Sequence, residues 1–168
     1  MPRVERKRGL KGRIKVIELM EEDFKQGLEE LINVYRDGYH GLERYAYTNR
    51  GDIKSYLKWL YRSDPDAFLV AIDEDSIIGF AAGARYWWDK NYGEISELHE
   101  FVIKKDYQGK GIGEQLLRVM IDKLGETHPV IGLWVGEENN RAIRFYEKQG
   151  FKKVGQVGIW IRMIKGES

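Results

Sequence analysis

The stretch Phe101–Gly113, FVIKKDYQGKGIG, carries the densest chemical signal in this 168-residue chain. An apolar strand runs into a charged turn, then Gly109, Gly111 and Gly113, then a helix. Glycines allow close backbone approach, and a first helical turn leaves unpaired N–H groups aimed at one point. Phosphate suits that arrangement. Glycines also make ordinary tight turns, so the spacing alone leaves both readings open. Just upstream, the strand Glu94–Ile103 (EISELHEFVI) holds Glu97, His99 and Glu100. Unpaired buried charge is costly, so three ionisable side chains in four residues of a buried strand are unusual. Period-two alternation puts Glu97, His99, Phe101 and Ile103 on one face, and Ser96, Leu98, Glu100 and Val102 on the other. A β-bulge would undo that assignment for Glu100. An imidazole with an ordinary pKa near 6.5 suits a general base, and Glu97 and His99 could order a water between them. Structural hydrogen bonding is the plainer use of both.

Composition narrows the chemistry. The hydrophobic fraction is 42% and the charged fraction 33%, which argues against disorder. Net charge is +1, so a strongly basic nucleic-acid binder is not expected. There are no cysteines, which removes thiol nucleophiles, disulfides and thiolate metal sites. His40, His99 and His128 lack ligand spacing, and no metal is expected. No apolar run approaches the roughly 20 residues of a membrane span, and the first residues have no apolar core, so a cytoplasmic location is expected. The glycine loop lacks the Gly-x-x-x-x-Gly-Lys-Ser/Thr pattern of a Walker loop. It follows three candidate antiparallel strands, unlike the early parallel unit of a dinucleotide fold.

The elements that must position these residues follow from periodicity. Residues 1–12 are expected to be a flexible basic arm; six basic groups and one acid lie in residues 1–13. A solvated terminus is the plain reading, and contact with RNA the sharper one. Residues 13–168 then form one domain. Arg13–Met20 reads as a strand. Phe24, Leu28, Leu31, Ile32 and Tyr35 share a helical face, and Asp52 can cap a second helix through Tyr61. Residues 67–72, 77–88 and 94–103 read as antiparallel strands. Gly111–Leu124 is an amphipathic helix, Val130–Val135 a strand, and Asn139–Gln149 a helix that Gly150 ends in left-handed conformation. Residues 151–155 and 159–164 close as strands. The class is α/β (α+β): one domain with a central sheet of six to seven strands flanked by helices.

Two segments carry a resemblance. Gln108-Gly109-Lys110-Gly111-Ile112-Gly113 matches Gln/Arg-x-x-Gly-x-Gly/Ala after a strand. Asn139 to Phe151 gives an Asn, a helix with Tyr146 in its middle, then Gly-Phe. Both, at this separation, resemble the GNAT N-acetyltransferases, which use acetyl-CoA. The element order is similar from about residue 13 to 164.

The resemblance implies a mixed, mostly antiparallel sheet whose one parallel pair splays apart at the cofactor site. The pantetheine arm would pair with backbone at Phe101, Val102 and Ile103. The pyrophosphate would sit on the amides of Gln108, Gly109, Lys110, Gly111, Ile112, Gly113 and Glu114, with Lys110 placed to attract phosphate. Asn139 would hold the cofactor or cap its helix, and Tyr146 would be the general acid beside the sulfur. Glu97 matches a glutamate base of histone-acetylating relatives, and His99 the place of a glutamate in polyamine-acetylating ones. Trp134 stands where ribosomal-type relatives keep a glutamate base. The implied activity is transfer of acetyl to an amine acceptor, a small molecule or a peptide or protein amine, by direct attack. The alternative is a non-catalytic acyl-CoA-binding or sensory module. Family acceptor sites imply a role for Tyr35, Tyr39, Tyr45, Tyr47, Trp87 and Trp88; core or dimer packing could equally occupy them. Hydrophobic closing strands leave room for a homodimer.

Overall fold

A computed structural model describes residues 13–166; the basic arm of residues 1–12 lies outside them. The sheet is built from β1 (Ile14–Glu18), β2 (Phe68–Asp73), β3 (Ser76–Asp89), β4 (Gly93–Ile103), β5 (Ile131–Gly136), β6 (Lys152–Val157) and β7 (Trp160–Lys165). Their spatial order is β1-β2-β3-β4-β5-β7-β6. Every neighbouring pair is antiparallel except β4 and β5, which are parallel. The helices are α1 (Glu21–Gln26), α2 (Leu28–Gly38), α3 (Arg50–Ser63), α4 (Ile112–Gly125) and α5 (Asn140–Lys148).

Each face of the sheet buries its own core. One face takes α4 through Ile112, Leu116, Leu117, Met120 and Leu124, and α5 through Ile143 and Tyr146. The other takes α2 through Leu31, Ile32, Val34 and Tyr35, and α3 through Ile53, Leu57, Leu60 and Tyr61. A fully buried side chain of this size contributes roughly 1.5–3 kcal/mol. The apolar spacing that predicts these helices is therefore also what fastens them.

Local departures have local causes. The first helical pattern is split at Gly27, whose N–H bonds the carbonyl of Asp23 and closes α1. Asn49, not Asp52, caps α3, its side chain accepting from Gly51 N at 2.7 Å and Asp52 N at 3.3 Å. Asp52 sits in the first turn, where its charge still suits the helix dipole. Gly150 ends α5 with φ +97°.

The departure that matters most lies in β4. Ala82 pairs with Glu100 and Gly83 with Leu98, so His99 is an extra residue in the strand. Strict alternation fails there. Leu98, Phe101 and Ile103 pack on the α4 side, as does Ser96, which donates to the carbonyl of Leu124 at 3.0 Å. Glu100 reaches Tyr39 and Tyr56 on the α2–α3 side, and Val102 packs there too. The bulge thus moves Glu100 to the face of Glu97 and His99, and Phe101 and Ile103 away from it.

β4 and β5 then separate. Their pairing covers only Ser96–Leu98 against Ile131–Leu133. Beyond it β4 stays with β3 to Ile103, and β5 stays with β7 to Gly136.

Candidate functional site

A cavity of about 1310 Å³ fills the parting of β4 and β5. Phe101, Val102 and Ile103 form one wall, and Leu133 to Gly136 the other. Ligand pockets commonly hold about 300–1,000 Å³, so this one has room for two molecules meeting end to end.

The glycine loop forms one end. Gly109 and Gly111 have φ +76° and +82°, left-handed values that glycine adopts without strain. Gly111 precedes α4 with no side chain capping the helix, so its first N–H groups remain open to an anion. Gln108, Gly109, Gly111, Gly113 and Glu114 all line the cavity. The Gln108 side chain ties the loop down, donating from Nε2 to the carbonyl of Ile103 at 2.8 Å. Ile112 is fully buried in the core, so only its backbone is available. Lys110 is exposed and turned onto its own loop, its Nζ 2.8 Å from the carbonyl of Asp106. Arg141, which sequence reading missed, lines the cavity from α5. Its guanidinium lies 3.5 Å from where a Cβ on Gly109 would stand. A cation one residue inside a helix start was the available signal. An open-edged strand, a glycine nest and an arginine beside it fit a pantetheine diphosphate.

Asn139 caps α5, its side chain accepting from Ala142 N at 3.4 Å, and also lines the cavity. Tyr146, on α5, is 7% exposed and lines the middle of the cavity, against Phe101, Phe145 and Phe151. Among the described residues its hydroxyl has no hydrogen-bond partner. Burial, and after it the charge of Glu100, push its phenol pKa up, so it holds its proton firmly.

At the other end the three ionisable residues of β4 have separate fates. Glu97 is 2% exposed and absent from the cavity wall. Both of its oxygens take Arg162 of β7, at 2.6 and 2.9 Å, and Arg162 also holds Asp89 at 2.9 Å. Burial pushes the Glu97 carboxyl up, and Arg162 works against that. Gly132 leaves the space: a Cβ there would come within 2.8 Å of Glu97 Oε1. The Arg162 guanidinium also lies 5.0 Å from the ring centre of Trp134, so Trp134 covers the ion pair from the cavity side. His99 lines the cavity, its ring against Trp59 and Trp87. Its Nε2 is buried without a partner, and burial, then Arg162, lower its pKa to about 4. Glu100 lines the cavity between the hydroxyls of Tyr39 and Tyr56.

The aromatic set is partly redrawn. Tyr35, Tyr39, Tyr45 and Tyr47 line the cavity, joined by Tyr56 and Trp160. Trp87 sits behind His99, and Trp88 is 74% exposed, away from the cavity wall. His128, in the loop before β5, bridges the carbonyl of Arg85 at 2.6 Å and Glu94 at 2.9 Å. Among the described residues no cluster of acids and histidines could hold a metal, and no helix is long and apolar enough to cross a membrane.

The profile of the acetyltransferase (GNAT) family matches residues 26–151. The chain belongs to the GNAT family. An N-acetyltransferase of Archaeoglobus fulgidus, described as uncharacterized, is 36% identical over 131 residues, covering 77% of this chain and 89% of that protein. Another so described, from Methanocaldococcus jannaschii, is 34% identical over 145 residues, 84% of this chain and 63% of the other. A crystal structure from Pyrococcus horikoshii superposes with TM-score 0.85 at 46% identity, covering 92% of this chain and 99% of that one. The PaiA N-acetyltransferase of Thermoplasma acidophilum, solved with coenzyme A, shares the fold at TM-score 0.69 and 24% identity, over 92% and 99% of the two chains.

Proposed function

We propose that residues 13–168 transfer acetyl from acetyl-CoA to an amine by direct attack, with Tyr146 as the general acid for the departing thiolate. The observation that carries this is the position of Tyr146: a proton-holding phenol between the glycine nest and an ionisable wall, in one continuous cavity. Backbone of Phe101, Val102 and Ile103 receives the pantetheine arm. The amides from Gln108 to Glu114 receive the diphosphate, with Arg141 beside them, and Lys110 adds only long-range attraction. Asn139 keeps the α5 start, and so Tyr146, in register.

The base is sought among the residues facing the cavity. His99 faces it; Glu97 is closed off by Arg162, and its reach is through a water at most. The acceptor enters through the tyrosine-lined end. An amine acceptor is supported by relatives such as the spermine/spermidine N(1)-acetyltransferase of Bacillus subtilis, 35% identical over 89 residues, half of this chain.

Release of free thiol from acetyl-CoA, followed over a panel of primary amines and peptides with free N-termini, tests the reading. Turnover with at least one amine is expected, and its fall by roughly 10²–10⁴ in Tyr146→Phe at unchanged cofactor affinity. Cofactor binding without thiol release from any amine would instead mark an acyl-CoA-binding module.

A further inference from the structure

Four acidic side chains among the described residues are buried: Asp64, Asp73, Glu97 and Glu100. Asp64 is met by Arg85, Asp73 by Arg13 and Glu97 by Arg162. Glu100 alone of the four has no cation within ion-pair distance among the described residues. Its oxygens take the Tyr39 hydroxyl, the Tyr56 hydroxyl at 2.9 Å and the N–H of Phe101 at 3.3 Å. Those donors fix the carboxylate in place and supply no positive charge. A buried carboxylate without a counter-ion is expensive. Glu100 lines the cavity together with Tyr35, Tyr39 and Tyr56, and is near enough to Tyr146 for its charge to act on that phenol.

We propose that Glu100 docks the acceptor as a primary ammonium cation and takes its proton, with Tyr39 and Tyr56 as positioning residues. This rests on the acetyl-transfer reading above and narrows the acceptor to amines that arrive charged: aliphatic amines or peptide α-amines, not arylamines. The rings of Tyr35, Tyr39 and Tyr56 beside the carboxylate suit a cation as well.

The proton balance closes. The ammonium gives one proton to Glu100, and the freed lone pair forms the C–N bond at the thioester carbon. On collapse the C–S bond breaks, sulfur keeps the electron pair and takes the Tyr146 proton. The second amine proton restores the phenol, and Glu100 returns its proton to water. Net, one ammonium and acetyl-CoA give an amide, free CoA thiol and one proton.

The surroundings set the range in which Glu100 can work. Tyr35 of α2, Tyr39 just after it, Tyr56 of α3, Tyr146 of α5 and its neighbour His99 face it, and all are neutral near pH 7. Burial pushes its carboxyl up to about 7, against the pull of the two phenols and the Phe101 N–H. A base is most useful when its pKa lies near the working pH. His99, lowered to about 4, is neutral there and holds an extra proton poorly.

The test uses the full chain saturated with CoA. The carboxyl titration of Glu100 is followed by infrared difference spectroscopy against Glu100→Gln, with phenethylammonium chloride, an alanine-initiated peptide, or phenethyl alcohol as a neutral control. A titration near neutrality is expected, lowered by about one unit or more by an ammonium ligand and unmoved by the alcohol. A shift with phenethylammonium alone would name small amines, and one with the peptide alone α-amino termini; either supports the proposal. In turnover, Glu100→Gln should lose roughly 10²–10⁴-fold and the rising acid limb of kcat/KM, and aniline should be refused. Tyr56→Phe, which keeps the carboxylate, should move that limb to higher pH. No shift with either ammonium ligand, or a Gln variant keeping its rate and its limb, would overturn the proposal. Loss of CoA binding in the parent protein would fell the acetyl-transfer reading itself, and this proposal with it.

Discussion

Glu97 and Glu100 stand three residues apart on β4, on the same face and both buried, yet they solve the burial of charge in opposite ways. Glu97 lies where β4 and β5 are still paired. It is closed into Arg162, which also holds Asp89 and lies against Trp134. Glu100 lies past the point of separation and receives only neutral donors, with the cavity on its open side. The parting of two strands thus divides one row of acids into a structural end and a chemical end. A carboxylate whose charge is matched inside the fold is a strut; one whose charge is unmatched is available to a ligand.

The comparison breaks first at Arg162. Arg162→Met leaves Glu97 buried and unpaired, and stability should fall by about 3–5 kcal/mol. For a chain of this size that lowers the melting temperature on the order of 10 °C, read by calorimetry. The loss should be one of folding, with cofactor affinity per folded molecule little changed.

A second test compares the pH dependence of the two ends. Glu100 binds its proton more tightly folded than unfolded, so its contribution to stability is full below about 4.5 and is lost as pH rises to about 7. His99 runs the other way: its pKa is lowered, so its contribution is present above about 6.5 and lost as pH falls toward 4. The two oppose each other in the parent protein. Subtracting the denaturation curves of Glu100→Gln isolates the first. Relative to the variant, the parent should lose on the order of 3 kcal/mol between pH 4.5 and 7.5. Glu97→Gln should show a weaker trend of the same sign, since Arg162 offsets the burial of that carboxyl in the parent.

A smaller effect sharpens the open end. Tyr56→Phe removes a neutral donor to Glu100 and should cost about 1–2 kcal/mol above pH 8, where the carboxylate is ionised, and less below pH 6. Urea titrations at the two pH values distinguish these. Smallest of all, Lys110→Ala should change stability by less than about 0.5 kcal/mol, because the side chain is exposed and bonds only its own loop. Its effect on cofactor affinity should vanish at high salt.

Much of this was legible in the sequence. Helical spacing marked α4 and α5, and the glycines at 109, 111 and 113 marked the loop, because both patterns are local. The parallel pair and its parting followed from the resemblance. What escaped was set by distance or by a count of one. The extra residue at His99 has no periodic signature; its trace was the excess of ionisable groups in the strand. Arg162 stood as a single charge in the apolar run IWIRMI, a hint of a buried partner that only the β5–β7 pairing brings to Glu97. Tyr56 comes from α3, more than forty residues before Glu100, so nothing local joined it to the site, whereas Arg141 left the local trace of a cation inside the α5 start.

Calorimetric titration of acetyl-CoA into the protein and into Gly111→Asp tests the central claim most directly. Aspartate at φ +82° would strain the loop and set a negative charge at the start of α4. Binding to the parent at one molecule per chain, lost in a variant that still melts cooperatively, is the predicted result. Equal binding by both proteins, or none by the parent, would contradict the placement of acetyl-CoA on the glycine nest between the parted strands.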